Sequence, residues 1–164
     1  VAHPPETSAQ GPFFEHHRPG TLPTLEFPGV KATLVAGEAF QERAPVTTHS
    51  PLFFLDVSLE EGASLTLPGV LGERAIYPLE GALEVDAGPV PRGGLLAADA
   101  AHPDRTVVAG APSRAAIFGG APLPKTPLIH WNYVAYGQGD IDAAKARWAD
   151  GRFPKVVGDP ATSG

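Results

Sequence analysis

The residues of this sequence that could bind a metal or move a proton are few and widely spaced. There are six histidines and no cysteine, so thiolate zinc sites and disulfides are excluded. Imidazole and carboxylate groups hold a divalent metal when several of them share one cavity, which on a β-strand requires alternate positions. His16 and His17 are adjacent and cannot share a strand face, and His3 stands in a polar tail. These three histidines are therefore interpreted as solvated residues.

Three other histidines are candidates for chemistry. His49 stands in "TTHSP", directly before an apolar run, where a loop histidine that bonds the backbone is the simpler interpretation. His102 lies in a turn and could form a small metal site with Glu73 or His49. His130 could donate a hydrogen bond at a domain interface. Spacing alone leaves the roles of these three residues open.

Composition favours one globular domain rich in strands and turns. The chain has 164 residues, of which 43% are hydrophobic, and its 19 glycines and 19 prolines disfavour long helices. A net charge of −6 without a basic cluster disfavours nucleic-acid partners. No apolar run approaches the roughly 20 residues of a membrane helix, so no membrane partner is expected.

The N-terminal sequence bears on location and processing. "VAHPPETSAQGP" lacks the basic and apolar segments of a signal peptide, so we expect a cytoplasmic protein. The sequence has no methionine. Either an initiator methionine is removed before Val1, or residue 1 follows a cut within a longer protein.

Periodicity predicts several short strands. "VKATLVAGEA" predicts a strand closed by Gly37, and "ERAIYPLEGALEV" predicts two strands joined as a hairpin at Glu80-Gly81. The clearest strand runs from Leu52 to Leu59. Its alternating residues, expected on one face, are Phe53, Leu55, Val57 and Leu59. Turn signals that recur at intervals of roughly ten residues are typical of an all-β sandwich or barrel.

One helix is predicted near the C-terminus, in "GDIDAAKARWADG". Asp140 is a suitable N-cap, and Gly151 is suitable just after the helix end. Ile141, Ala144 and Trp148 share one helix face, which must pack on another element because so short a helix is marginal alone.

Two passages resemble the pirin family. "VKATLVAGEAF" followed by "PVTTHSPLFFLDVSLEEGASLTLP" resembles the C-terminal domain of bacterial pirins. "IHWNYVAYGQGDIDAAKARWADGRFPKVVGD" resembles the pirin tail. The likeness covers roughly residues 12–160, in order and with consistent spacing.

The resemblance implies both a fold and a missing half. Pirins are bicupins, in which three histidines and a glutamate hold iron or another divalent metal in the N-terminal barrel. Some members are quercetin 2,3-dioxygenases, and the human member is a nuclear transcriptional cofactor. The expected fold here is all-β, a cupin-type antiparallel β-barrel or jelly roll. Residues 1–24 would form a linker or extended arm, 25–124 the barrel, and 125–164 a C-terminal strand, short helix and tail.

The positions that bind metal in cupins hold unsuitable residues here. Counting back from Gly81, the His-x-His positions fall on 67–70 and the glutamate on or beside Arg74, while the histidine of the second segment falls near Arg105. Glu73 is adjacent, but its side chain should face the opposite side of the strand. We therefore expect no metal or other cofactor in this chain, an apolar barrel interior, and a metal only in the absent N-terminal barrel.

Aromatic residues cluster near the C-terminus and mark the best candidate for an interface. With one helix residue, the predicted docking residues are Trp131, Tyr133, Tyr136, Ile141, Trp148 and Phe153. The resemblance favours docking on the missing N-terminal cupin or on a second copy of the chain. The alternative is that these residues cap this chain's own barrel.

Three functions follow from these observations. The first is a non-catalytic C-terminal cupin that supports a metal-bearing partner barrel, whose parent protein could be a quercetin 2,3-dioxygenase-like oxygenase of undetermined substrate. The second is a stand-alone dioxygenase-like cupin that uses His102 with Glu73 or His49. The third is a module that binds a small ligand or a protein, with a role like that of a transcription cofactor. No catalytic residue can be assigned from the sequence.

Overall fold

The computed structural model describes residues 2–11, 13–18, 20–86, 88–99, 101 and 103–153. The chain folds as two compact units. Residues 11–123 form the barrel unit, and residues 1–10 with 124–164 form the terminal unit.

The barrel unit consists of eleven strands and one short 3₁₀ helix in its described residues. The strands are β1 (Thr24–Phe27), β2 (Val30–Ala39), β3 (Glu42–Arg43), β4 (Leu52–Leu59), β5 (Ser64–Leu67), β6 (Glu73–Glu80), β7 (Leu83–Val85), β8 (Gly88–Val90), β9 (Leu96–Ala98), β10 (Arg105–Ala109) and β11 (Ser113–Gly120), and the 3₁₀ helix is Gly69–Leu71.

Two antiparallel sheets enclose the core of the barrel unit. The larger has the order β1-β2-β4-β11-β6-β9, with β3 paired to β2, and the smaller has the order β5-β10-β7-β8. Aliphatic side chains from both sheets fill the space between them. The predicted all-β, cupin-type barrel is confirmed.

Strand β4 confirms the clearest pattern of the sequence. It spans the predicted residues 52–59, and its alternating residues Phe53, Leu55, Val57 and Leu59 are all buried. The period of two therefore identified both the strand and its inner face. The strand pairs with β2 on one side and β11 on the other, which makes it central in the larger sheet.

The predicted end of β2 at Gly37 is wrong. The strand continues to Ala39 past a register shift between Leu34 and Ala36. Gly37 has φ +75°, and a Cβ there would lie 1.8 Å from the carbonyl oxygen of Leu52. The glycine lets two backbones approach closely within the sheet instead of ending the strand.

The predicted hairpin at Glu80-Gly81 is also wrong. The two strands exist, but β6 pairs with β11 and β9 in the larger sheet, whereas β7 pairs with β10 and β8 in the smaller one. The glycine signal therefore marks a corner at which the chain crosses between sheets.

Close packing explains why the corner requires glycine. Gly81 has φ +79°, and a Cβ there would lie 2.2 Å from Oγ of Ser113. That hydroxyl is largely buried, accepts a hydrogen bond from the N–H of Ala82 at 3.1 Å, and donates one to the carbonyl of Ala111 at 2.7 Å. The corner is thus fixed to the first residue of β11.

The terminal unit contains a hairpin and the predicted helix. Its elements are a 3₁₀ helix (Pro5–Thr7), β12 (Leu128–His130), β13 (Tyr133–Ala135) and α1 (Gln138–Ala149). Helix α1 packs against this hairpin. Among the described residues, no helix is long and apolar enough to cross a membrane.

Helix α1 begins earlier than predicted. Its N-cap is Gly137, so Asp140 lies in the first turn, where its charge suits the positive end of the helix dipole. Gly151 follows the helix with φ +65°, as predicted. Ile141 and Ala144 are buried, but Trp148, expected on the same face, is 66% exposed.

Replacing Gly81 with alanine tests the corner. We expect G81A to lower the free energy of unfolding by about 2–5 kcal/mol, because a left-handed backbone and a steric clash with Ser113 both oppose the new Cβ. The matched control is G62A, since Gly62 has φ +78° but nothing within 4 Å of its Cβ position. The control should lose only about 1–2 kcal/mol in urea denaturation. Equal losses would contradict the role given to Ser113.

Candidate functional site

Three of the positions that correspond to cupin metal ligands, Leu67, Arg74 and Arg105, come together in this barrel. Leu67 of β5 and Arg105 of β10 are register partners in the smaller sheet. Arg74 of β6 donates a hydrogen bond from Nη1 to the carbonyl oxygen of Leu67 at 3.4 Å. Three positions found by counting along the sequence are therefore close neighbours, and the structure defines a single centre between the two sheets.

The side chain of Arg74 lies inside the barrel. It is 2% exposed, and it lies on the same face of β6 as the buried residues Ile76 and Pro78. Glu73 is exposed, as predicted from strand geometry. The interior therefore combines aliphatic side chains with the guanidinium that the sequence places at this position.

A carboxylate lies close to this guanidinium and to Arg105. Nη1 of Arg105 donates to Oδ2 of Asp86, and the backbone N–H of Thr106 donates to Oδ1 of Asp86 at 3.3 Å. The hydrogen bond from Arg105 is the largest cause of a lowered Asp86 pKa, and the positive charge of Arg74 adds a smaller effect in the same direction. Asp86 therefore stays ionised beside two cations.

This arrangement does not suit a divalent metal. Arginine remains protonated in proteins and offers only donors, so the two guanidiniums repel a cation and cannot ligate one. Among the residues that the structure describes, no group of three or more His, Cys, Asp or Glu side chains could hold a metal ion. His102 lies outside the described residues, so the hypothesis that pairs it with Glu73 or His49 stays a prediction.

The other histidines make separate local contacts. His49 meets the ring of Phe13 edge-on, with centroids 5.8 Å apart. Nε2 of His17 lies 3.7 Å from a carboxylate oxygen of Glu15. The carbonyl of His3 accepts a hydrogen bond from the hydroxyl of Tyr136 at 2.6 Å within the terminal unit. His130 is an exposed residue of β12.

The predicted docking residues divide by exposure. Trp131 is 89% exposed at the turn between β12 and β13, and Trp148 is also largely exposed. Trp131 has φ +55°, a backbone conformation that costs a non-glycine residue about 1–2 kcal/mol. Ile141 is buried, so its side chain supports the terminal unit from within and is not available on its surface for docking.

The remaining docking candidates pack within the terminal unit. The ring of Phe153 contacts those of Trp148 and Tyr133, with centroids 5.7 and 6.3 Å apart. Nζ of Lys125 donates to the carbonyl of Tyr136 at 3.0 Å. These contacts order the aromatic cluster around the helix and leave the two tryptophans presented outward.

Sequence reasoning missed Asp86 as a member of the central cluster. It follows β7 directly, in the turn that leads to β8, and has φ +50°. Aspartate tolerates this conformation better than most residues, so the turn was detectable in "VDAG". Its pairing with Arg105 was not detectable, because β10 lies some twenty residues further along the chain.

Taken together, the two sheets and their common centre define a cupin-type barrel. A profile of the pirin C-terminal cupin domain matches residues 54–154. The chain therefore belongs to the pirin family and corresponds to its C-terminal cupin domain.

Two curated relatives support this assignment. A pirin-like protein of Caulobacter vibrioides is 39% identical over 158 residues, which cover 93% of this chain and 53% of that protein. A Pseudomonas aeruginosa protein with the provisional name quercetin 2,3-dioxygenase is 30% identical over 159 residues, which cover 95% of this chain and 50% of that protein. The chain thus spans about half the length of these relatives.

Solved structures share the fold. A quercetin 2,3-dioxygenase from Acinetobacter baumannii matches with a TM-score of 0.87 and 24% identity over 97% of this chain and 54% of that chain. A Geobacillus kaustophilus protein matches with a TM-score of 0.66 and 19% identity over 76% of this chain and 53% of that chain. At these identities the likeness concerns the fold alone.

Neutralising Asp86 tests the central charge cluster. Because the pKa of Asp86 is lowered in the folded state, its stabilising contribution is present above an unfolded pKa of about 4 and is lost as pH falls through the lower folded value. We expect D86N to be less stable than the parent at pH 6, with the difference disappearing in strong acid. E84Q, at an exposed carboxylate on β7, is the control. A D86N difference that persists at the lowest pH would contradict the assignment; urea denaturation at several pH values measures it.

Proposed function

We propose that this chain is the non-catalytic C-terminal cupin of a pirin-like protein, and that it packs against and supports a metal-bearing N-terminal cupin. The observation that carries the proposal is the buried guanidinium of Arg74 at the centre where cupin ligands would converge. A fixed positive charge there opposes metal binding, so we assign any metal-dependent oxygenase reaction to the N-terminal cupin.

The extent and surface of the chain support the proposed partner. The chain spans about half of each curated relative, which leaves room in those proteins for a second barrel. The terminal unit exposes Ile129, Trp131 and Trp148. Large aromatic residues that are exposed to solvent, such as the two tryptophans, are typical of protein interfaces. The strained backbone of Trp131 also fits a functional position, because strain of this kind is retained where function requires it.

The activity of the parent protein is a further part of the proposal. One curated relative carries the provisional name quercetin 2,3-dioxygenase, and two matching solved structures carry that name outright. We infer that the parent is an oxygenase of this kind, with its metal in the N-terminal barrel and its substrate bound there. In that arrangement the present chain shapes and stabilises the neighbouring site without contributing a ligand.

Metal analysis tests the division of roles. After purification with added ferrous iron, we expect the chain to contain far less than one metal ion per molecule, because its central cluster repels cations. The Caulobacter vibrioides relative, treated in parallel, is the positive control and should retain metal. Iron near one equivalent, lost on replacement of residues around Arg74 or Arg105, would contradict the proposal.

Self-association tests the docking surface. Without its partner, the chain should dimerise reversibly at high concentration, because exposed apolar surface favours burial against a second copy. W131S should weaken the dimer at least about tenfold, as expected for an interface aromatic residue. Sedimentation velocity over a range of concentrations measures the effect.

A second exposed aromatic residue provides the matched control. Phe14 is 90% exposed but belongs to the barrel unit, so F14S should leave the dimer unchanged. A chain that stays monomeric at high concentration, or equal weakening by both variants, would contradict a docking role for Trp131.

A further inference from the structure

A cavity of about 510 Å³ lies at one edge of the larger sheet. It is bounded by the end of β2, by β3, by the start of β4, by the 3₁₀ helix that precedes β6, and by the end of β11. Cavities that bind small organic molecules measure about 300–1,000 Å³. All its lining residues belong to the barrel unit.

Closely packed backbone forms part of the cavity lining. A Cβ on Gly37 would lie 1.8 Å from the carbonyl oxygen of Leu52, and one on Gly72 would lie 2.4 Å from that of Gly120. A Cβ on Gly120 would likewise lie 2.3 Å from the carbonyl of Pro51. Side chains at these three positions are excluded, so the shape of this edge is fixed by main chain, which favours a preformed site.

The cavity has one apolar side and one polar side. Leu52, Phe53, Val70 and Leu71 supply the apolar side, and Val70 is almost fully exposed on its 3₁₀ helix. Exposed aliphatic surface beside a cavity gains stability when an apolar ligand covers it. This side suits the body of an aromatic or aliphatic molecule.

The polar side is rich in hydrogen-bond donors. Arg43 on β3, Glu38 on β2 and His49 in the loop before β4 lie on it, together with two hydroxyl residues of that loop. Arg43 donates from Nη1 to Oε1 of Glu38. Since a guanidinium has five N–H donors, this contact orients Arg43 and leaves other donors for a ligand anion.

A charged contact holds the loop that carries His49. A carboxylate oxygen of Glu15 accepts the backbone N–H of Thr47 at 2.6 Å, and the other lies 3.1 Å from the hydroxyl of the same residue. The ring of Phe13 rests edge-on against His49. Residues 13–17 thus secure the polar wall from outside, so a ligand meets a loop that is already ordered.

We propose that this cavity binds a small organic carboxylate, with its apolar body on Leu52, Val70 and Leu71 and its anionic group at Arg43 and His49. Arg43, His49 and two hydroxyl residues offer donors on the polar wall, where the carboxylate of Glu38 is already paired with Arg43, and the apolar wall is hydrocarbon. The site uses none of the residues of the proposed docking surface and requires no metal.

A matched pair of probes separates charge from apolar contact. Hydrocinnamate and the neutral hydrocinnamyl alcohol share one apolar body, and each is titrated into the chain while amide NMR signals are followed. We expect hydrocinnamate to shift signals of the cavity lining, including Gly72 and Gly120, and to bind more tightly than the alcohol. Equal affinities, or shifts located elsewhere, would overturn the proposal.

Three variants test the assigned anion contact. R43Q should weaken hydrocinnamate binding about two- to fivefold, as expected for a partly exposed charge pair, with little effect on the alcohol. E38Q should strengthen it about twofold, because it removes the carboxylate that competes for Arg43. R92Q changes an exposed arginine outside the cavity and is the matched control.

Two results would contradict the proposed contact between the ligand anion and Arg43. A loss in R92Q equal to that in R43Q would assign the effect to net charge and overturn the proposed contact. Unchanged binding in R43Q would do the same. The substituted residues are exposed, and thermal unfolding midpoints close to the parent value verify that each variant is folded.

Discussion

The structure of this barrel depends on one constraint, the charge of Arg74 within a closed interior. A guanidinium removed from water must find hydrogen-bond acceptors and a counter-charge, since an unpaired buried charge is strongly destabilising. The carbonyl of Leu67 supplies an acceptor, and Asp86 supplies negative charge close enough to be affected by Arg74. Arg105 binds the same carboxylate directly. Because Asp86 is itself exposed, these contacts connect the strands from the buried guanidinium of Arg74 outward to the surface.

The connection at Gly81 makes this arrangement possible. If β6 and β7 formed a hairpin, they would pair side by side in one sheet. Instead the chain crosses to the smaller sheet at this corner, so β6 carries Arg74 on one wall while β7 leads to Asp86 on the other. The buried hydroxyl of Ser113 fixes the corner to β11, which pairs with β6. The charge cluster therefore depends on the glycine at position 81, because the crossing there places β6 and β7 in different sheets.

Features set by local patterns could be predicted from the sequence, whereas features set by pairing between distant segments could not. Strand β4 was predicted with its inner face, because a period of two is a local property that burial on one side enforces. The Glu80-Gly81 corner was mistaken for a hairpin, because both use a glycine with positive φ and differ only in distant pairing. The convergence of Leu67, Arg74 and Arg105 was located by family spacing. Asp86 was missed, because its partner is set by the order of strands in the smaller sheet.

In this barrel, arginine occupies positions that correspond to cupin metal ligands, so the fixed charge there comes from a side chain and not from a metal ion. The cupin fold is kept. A bound divalent metal attracts anionic groups through its own charge, and a fixed guanidinium exerts a similar attraction without a site that can bind or lose an ion. Strand β6 starts directly after Gly72, which lines the 510 Å³ cavity, but its second residue, Arg74, is directed to Leu67 and is not part of the cavity lining. The proposed absence of a metal site and the proposed anion cavity are compatible with each other, because they depend on different residues, Arg74 and Arg105 in one case and Arg43 and His49 in the other.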